Sequence, residues 1–358
     1  MSKSLDETIF LTGFPGFIAE RLAKRLAAEG ARLLLLVQPS FMKRAREDVL
    51  RISEETGTPA SNFLILEGDI TLPALGLNPS DLEMTRAEAT TIFHLAAIYD
   101  LAVQRDRGVR VNVEGTRNVS QLARSLKNLR RYHYVSTCYV AGLREGLILE
   151  TELEHTAGFR NYYEETKYLA EMEVEALKNE LPITIHRPSV VCGDSRTGET
   201  AKYDGIYYLI HYLRMQPGLL SLINIGNNNV RLNLVPVDFV VEAMAALALD
   251  ERAAGATVQL ADPQPLTSHD LFDTIATVIA GRGSRIRFPA PLVRSTLMLP
   301  FSPKITGLPH AAVPYFFLEQ TYDTTKASEL LQPHGVHCPP FPSYVNALVE
   351  FVAQHPKL

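Results

Sequence analysis

Tyr163 and Lys167 stand four residues apart in Tyr163-Glu164-Glu165-Thr166-Lys167, a spacing that puts both side chains on one face of a helix. An ammonium beside a phenol favours the phenolate and makes tyrosine a usable proton donor and acceptor near neutral pH. Such a pair suits carbonyl–alcohol interconversion. The spacing arises by chance in many helices, so its weight comes from what precedes it. Upstream, Tyr134-Val135-Ser136-Thr137 reads as a strand closed by two hydroxyls. A hydroxyl at Thr137 can hold a carbonyl oxygen for Tyr163 to protonate; the plainer account is two strand-end hydroxyls capping backbone.

A second set of residues could hold a dinucleotide. Gly13-Phe14-Pro15-Gly16-Phe17-Ile18-Ala19 lies between an apolar strand at 8–12 and an amphipathic helix carrying Ile18, Leu22 and Leu26. Glycines let the backbone approach a pyrophosphate, and a helix N-terminus supplies free N–H groups. The end of the next strand reads Val37-Gln38-Pro39-Ser40, then Lys43 and Arg44. No carboxylate stands there to accept ribose hydroxyls or repel a 2′-phosphate, which favours NADP(H) over NAD(H). Lys43 and Arg44 could equally lie on a solvated helix face. Asp69 and Ile70, ending a third strand, are placed to meet the adenine, though Asp69 could simply form a turn. Ala96 and Ala97 are small enough for a cofactor to lie against the fourth strand. His94 reads better as a structural histidine of that strand than as a catalytic group. Asn112 is either a cofactor contact or a helix N-cap.

These residues need a frame that brings strand ends together. Apolar strands at 8–12, 32–37, 63–67, 91–95, 132–136, 182–186 and 257–260 alternate with helical patterns at 112–126, 161–178 and 237–249. The alternation predicts a doubly wound parallel α/β sheet with right-handed crossovers. A further strand is expected at 230–234, an aromatic helix at 207–213 and a terminal helix at 344–352. Residues 1–195, with 235–262 returning to them, are expected to form the cofactor-binding body. Residues 196–234 and 263–358 would form a smaller, partly interleaved substrate lobe. That lobe is rich in Tyr207, Tyr208, Leu209, Leu213, Leu219, Leu292, Met298, Leu299, Phe301, Tyr315, Phe316 and Phe317, which fits a hydrophobic pocket or an ordinary core.

Composition bounds the rest. With 358 residues and 46% hydrophobic content, the chain can build a substantial core. A net charge of −5 points to neither nucleic acid nor an anionic membrane. Three cysteines, Cys138, Cys192 and Cys338, form neither a disulfide framework nor a metal-ligand pattern. No apolar run is long enough to span a bilayer and no signal-peptide pattern opens the chain, so a cytoplasmic setting is expected.

Taken together, the motifs resemble the extended short-chain dehydrogenase/reductase family. Thr12-Gly13-x-x-Gly16-Phe17 is similar to its cofactor turn, Asn112-Val113-x-Gly115-Thr116 to its central helix start, and Arg187-Pro188-x-x-Val191-x-Gly193 to its segment beside the nicotinamide. Gly68-Asp69-Ile70-Thr71-x-Pro73-x-Leu75-Gly76-Leu77, Ser136-Thr137-x-Tyr139-Val140 and Gly193-Asp194-Ser195-x-Thr197-Gly198 resemble the fatty acyl-CoA reductase and thioester reductase branch. The resemblance implies a Thr137, Tyr163, Lys167 triad, with Pro188, Val190 and Val191 near the nicotinamide. It implies reduction of an acyl thioester or another hydrophobic carbonyl compound, the thioester arriving on CoA or a separate acyl carrier protein. A homodimer through the helices at 112–126 and 161–178 would follow by analogy. Two departures stand out. Ala19 replaces a third glycine, and Gln38 stands where NADP-dependent relatives often carry Arg. A nucleotide-sugar epimerase or dehydratase is the second reading, with Arg231 as its one basic candidate for a diphosphate. A cofactor-sensing protein without turnover is the third.

Overall fold

The computed structural model describes residues 6–303 and 308–357. Seven strands make one parallel sheet: β1 (Thr8–Thr12), β2 (Arg32–Val37), β3 (Phe63–Glu67), β4 (Thr91–His94), β5 (Arg131–Val135), β6 (Ile183–Pro188) and β7 (Thr257–Leu260). Their spatial order is β7-β6-β5-β4-β1-β2-β3, every pairing parallel. The order reverses between β1 and β4. In a doubly wound sheet such a reversal opens a crevice beyond the carboxyl ends of the strands.

Among the described residues the α-helices of eight residues or more are α1 (Phe17–Ala27), α2 (Met42–Thr56), α3 (Pro79–Glu88), α4 (Gly115–Ser125), α5 (Tyr162–Glu175), α6 (Ile206–Met215), α7 (Val237–Ala246), α8 (Ser268–Ala280), α9 (Ala290–Leu297) and α10 (Val345–Gln354). The uninterrupted apolar runs of β1 and β2 follow from cover on both faces. Ile9, Leu11, Leu33 and Leu35 join Leu22 and Leu26 of α1 and Val240 and Met244 of α7 in one buried cluster. Phe10, Leu34 and Leu36 point the other way, toward Val119 and Leu122 of α4 and Ala170 and Val174 of α5. Beyond the sheet, α6, α8 and α10 share a third cluster around Ile210, Leu213, Phe272, Ile275, Leu348 and Val352.

Several elements depart from the expected boundaries. The strand expected at 230–234 is shifted: Leu234–Pro236 pairs in parallel with Val190–Cys192, while Arg231 makes a single bridge to Thr267. Pro188 ends β6 from inside rather than stopping it, tolerated because a terminal residue need not donate to the ladder. The helix expected from Asn112 begins as a π-helical turn, Val109–Glu114, before α4. Helices α3, α8 and α9 went unanticipated although two of them carry plain signals. Asn78 caps α3 by accepting from Asp81 N–H, and Thr267 caps α8 by accepting from Asp270 N–H.

Candidate functional site

The crevice at the reversal is a cleft of about 650 Å³. Its middle is built by the turn between β1 and α1. Gly13 adopts φ +96°, and Gly16 N–H donates to Gly13 O at 2.7 Å. A Cβ on Gly13 would lie 3.0 Å from Ala96 N, and one on Gly16 would lie 2.7 Å from Gly13 O. The turn therefore tolerates no side chain at either position, and the N-terminus of α1 faces the cleft bare. That is a cradle of the kind a pyrophosphate occupies.

Phe14, Pro15, Phe17, Ile18, Gln38, Asp69, Ile70, Ala96, Ala97, Pro188, Val190 and Val191 line the same cleft. Gln38 Nε2 donates to Asp69 Oδ2 at 2.9 Å, and Asp69 Oδ1 accepts from Thr71 N–H at 2.8 Å. Asp69 therefore forms its turn and faces the cleft at once. Three expected residues do not reach the wall. Lys43 is 92% exposed and sits beside Glu47 on the outer face of α2. Ser40, in the short turn before α2, is exposed and outside the lining. Arg44, one residue beyond Lys43, does line the cleft while holding Asp48 at 3.4 Å. Asn112 is buried: it accepts from Ile98 N–H at 2.8 Å and donates to Thr166 Oγ1 at 3.0 Å. It braces the β4 exit loop against α5, as neither a cofactor contact nor an N-cap.

His94 belongs to a closed relay. Thr116 Oγ1 donates to Asn112 O and can accept from His94 Nε2 at 3.0 Å; His94 Nδ1 then accepts from Thr12 Oγ1 at 2.8 Å, which accepts from Ala96 N–H. Each partner is satisfied only by the neutral Nε2–H tautomer. Burial, with the Lys167 charge nearby, pushes the imidazole down to about 3.

Thr137, Tyr163 and Lys167 line the cleft on the other side of that turn from Gln38 and Asp69. Thr137 leaves β5 in extended geometry and its hydroxyl accepts from Tyr139 N–H at 3.2 Å, capping the turn Cys138–Ala141. Burial pushes the Tyr163 phenol above its usual range, and a hydrogen bond with Thr137 opposes that rise. The phenol ring meets Tyr99 edge to face at 5.2 Å. Lys167 Nζ donates to Val135 O at 2.7 Å and Tyr134 Oη at 2.9 Å. Burial lowers the ammonium to about 7, and Glu171 only partly restores it.

Behind the three residues lies a buried polar frame. Ser136 points away from Thr137, as successive strand residues do, and donates to Glu171, one turn past Lys167. Arg187 answers the same carboxylate through Nε at 2.8 Å and Nη2 at 2.5 Å, and reaches Glu152 O. Both charged groups are almost wholly out of water. Next to Tyr163, the buried Glu164 accepts from Arg160 N–H and from Tyr315 Oη at 2.5 Å. Tyr99, Tyr139, Ser189, Lys202 and Asp204 also line the cleft. The sequence assigned none of them a role, although Tyr139 and Ser189 lie inside quoted motifs.

A second cavity, of about 370 Å³, is walled almost entirely by apolar side chains of 208–232, 268–297 and 308–317. Tyr208 on its wall interacts electrostatically with Tyr99 and Asp204 of the cleft. Arg231 lines neither space and donates to Pro265 O.

Residues 11–244 match the family described as Male sterility protein, an NAD-binding family. This chain belongs to that family. Among curated relatives, fatty acyl-CoA reductase wat of Drosophila melanogaster is 26% identical over 68% of this chain and 54% of its own length. Glycine betaine reductase ATRR of Emericella nidulans is 27% identical over 76% of this chain and 22% of its own. The chain thus spans about half or less of these relatives. The terminal R domain from the myxalamid PKS-NRPS biosynthetic pathway superposes with TM-score 0.80 at 25% identity, covering 98% of this chain and 92% of that one. The Bacillus cereus UDP-glucuronic acid 4-epimerase, solved with NAD, superposes at TM-score 0.65 with 18% identity over 97% of each chain. That likeness is one of fold alone. Both curated relatives are named as reductases, and the family is an NAD-binding one. Among the described residues no helix is long and apolar enough to cross a membrane.

Proposed function

We propose that this protein reduces an acyl thioester carrying a hydrophobic acyl group, using NADPH, with Thr137, Tyr163 and Lys167 as its catalytic residues. The observation carrying this reading is that those three side chains line one cleft together with a bare glycine turn at a helix N-terminus. Residues 1–195 and 235–262 would form the cofactor body, and 196–234 with 263–358 the substrate lobe. Gly13, Phe14, Pro15, Gly16, Phe17 and Ile18 would hold the pyrophosphate, and Gln38, Asp69, Ile70 and Arg44 the adenosine end. Arg44 and the lack of a carboxylate at the end of β2 favour a 2′-phosphate. Ala96, Ala97, Pro188, Val190 and Val191 would flank the nicotinamide.

The reduced nicotinamide, when bound, supplies a hydride. The chain's own residues govern the oxygen. Thr137 and Tyr163 would both donate hydrogen bonds to the substrate carbonyl, and Tyr163 would pass it a proton. Each preorganised donor of this kind is typically worth about 3–4 kcal/mol as charge builds on the oxygen. In its charged form Lys167 favours the phenolate left on Tyr163. A thioester that gains hydride at carbon and a proton at oxygen becomes a hemithioacetal, and loss of the thiol leaves an aldehyde. The apolar cavity beside the cleft suits the acyl chain. It suits a sugar diphosphate poorly, since Arg231 faces neither space.

The test is NADPH oxidation with a series of long-chain acyl-CoAs, alongside simple aldehydes and ketones. Acyl-CoA turnover falling at least about 100-fold in Tyr163→Phe, consistent with loss of one such donor, supports the reading. Turnover of simple carbonyls alone would make the protein an aldehyde or ketone reductase. Purification with tightly retained NAD and no net NADPH oxidation would favour epimerase-type chemistry.

A further inference from the structure

From Thr274 to Leu318 the chain contains no Asp or Glu, yet Arg282, Arg285, Arg287, Arg294 and Lys304 fall inside that stretch. Averaged over a chain of net charge −5, this local reversal of sign disappears. The described part of the stretch folds over the apolar cavity. Val293 and Leu297, one turn apart on α9, are buried against Leu308, Ala312 and Val313. Around them Ile286, Phe288, Leu292, Met298, Leu299 and Phe301 are each 40–54% exposed. Phe288 and Leu292 line the cavity as well, so the exposed apolar surface continues into it. Arg282, Arg285 and Arg294 are exposed on the same stretch.

Asp273 is tied to the turn between Arg282 and Arg285 through Ser284 N–H, and Arg282 donates to Gly218 O. That leaves Arg285 and Arg294 as the arginines that flank the apolar face, the composition of a surface that lies in a headgroup region. We propose that this face docks on an anionic lipid bilayer, with the mouth of the apolar cavity toward the acyl chains. A second copy seated on the same face would set the exposed Arg285 and Arg294 of one copy against those of the other. A bilayer carrying anionic headgroups complements both the charge and the apolar side chains. The docking stands on these residues alone. Passage of a membrane-dissolved acyl chain into the cavity rests additionally on the reductase reading.

The experiment is co-sedimentation of the full chain with vesicles of phosphatidylcholine, and of phosphatidylcholine with roughly one-quarter phosphatidylglycerol, at low and high salt. Binding is expected to the anionic vesicles only. The Arg285→Glu/Arg294→Glu variant should weaken it at least about 10-fold, and Met298→Glu/Phe301→Glu should abolish it. Both variants should keep NADPH binding, which reports an intact body. Failure to bind anionic vesicles, equal binding to neutral ones, or unchanged binding by both variants overturns the docking. Self-association lost in Met298→Glu/Phe301→Glu, without vesicle binding, would assign the face to a second copy instead. Vesicle binding by a protein that reduces no acyl thioester would keep the docking and remove the reductase reading.

Discussion

At the residue scale the arrangement of Lys167 is the informative one. The spacing of Tyr163 and Lys167 suggests an ammonium acting on a phenol, but the lysine's hydrogen bonds go to Val135 O and Tyr134 Oη. Its proton is held weakly: burial lowers it to about 7 from an ordinary value of 10.5. Under the proposed mechanism the charged form is the active one, and it is lost as pH rises through about 7. The free enzyme's kcat/KM is therefore expected to fall above that pH, and a profile measured across pH 6–9 checks it. Lys167→Met should remove that limb together with most of the activity. For stability the sign is opposite. Unfolded chains bind this proton up to the ordinary value, so this one group makes the fold more stable as pH rises from about 7 toward 10.5. Thr137 gives a sharper test. Thr137→Ala should lower kcat by roughly 100-fold or more while cofactor affinity, read by fluorescence titration, stays unchanged. Asn112 shows why side-chain type alone misleads. A polar residue at a family motif invited a contact role, but its amide is spent on Ile98 and Thr166.

At the scale of elements, α5 is positioned by ion pairs that no spacing rule announces. Glu171 ties the end of β5 through Ser136 to the end of β6 through Arg187, which fixes the strands presenting Thr137 and Pro188. Removing one partner of a buried pair leaves the other charge unanswered, at about 3–5 kcal/mol. Arg187→Met should therefore lower the unfolding free energy by about that amount in urea titrations, and Glu171→Gln, though nearly isosteric, should also be costly because it leaves the buried Arg187 guanidinium without its carboxylate. The alternation of strands and helices was legible because parallel strands covered on both faces run apolar without interruption, as Leu33 to Leu36 do. Boundaries were harder. The π-helical turn at Val109–Glu114 and the shift of the 230–234 strand depend on tertiary partners, Thr166 and Val190–Cys192, far away in sequence. The same holds for Glu150. It accepts from Gln259, Lys326 and Ala327 N–H groups and clamps Thr325–Leu331 to β7.

Across the whole molecule, the cleft and the apolar cavity are joined through the segment His310–Phe317. Phe316 and Phe317 wall the cavity, and Tyr315 between them and the sheet donates to Glu164, the neighbour of Tyr163, while accepting from Asn161 Nδ2 at 2.7 Å. Its ring also packs on Tyr139, 4.7 Å between centroids. Filling the cavity would therefore press on a segment hydrogen-bonded to the N-terminus of α5. Sequence showed the aromatic run but not its connection, because Tyr315 and Glu164 lie 151 positions apart. Tyr315→Phe removes the hydroxyl and keeps the ring on Tyr139. If the link orders α5 around a bound acyl chain, this variant should lose its preference for long over short acyl-CoAs, read as kcat/KM across a chain-length series. If the link matters only when the cavity is filled, turnover of a short aldehyde should change by less than about threefold, a barrier change under about 0.7 kcal/mol. Equal losses on long and short substrates would instead make Tyr315 a general support of the helix, and the two spaces energetically separate.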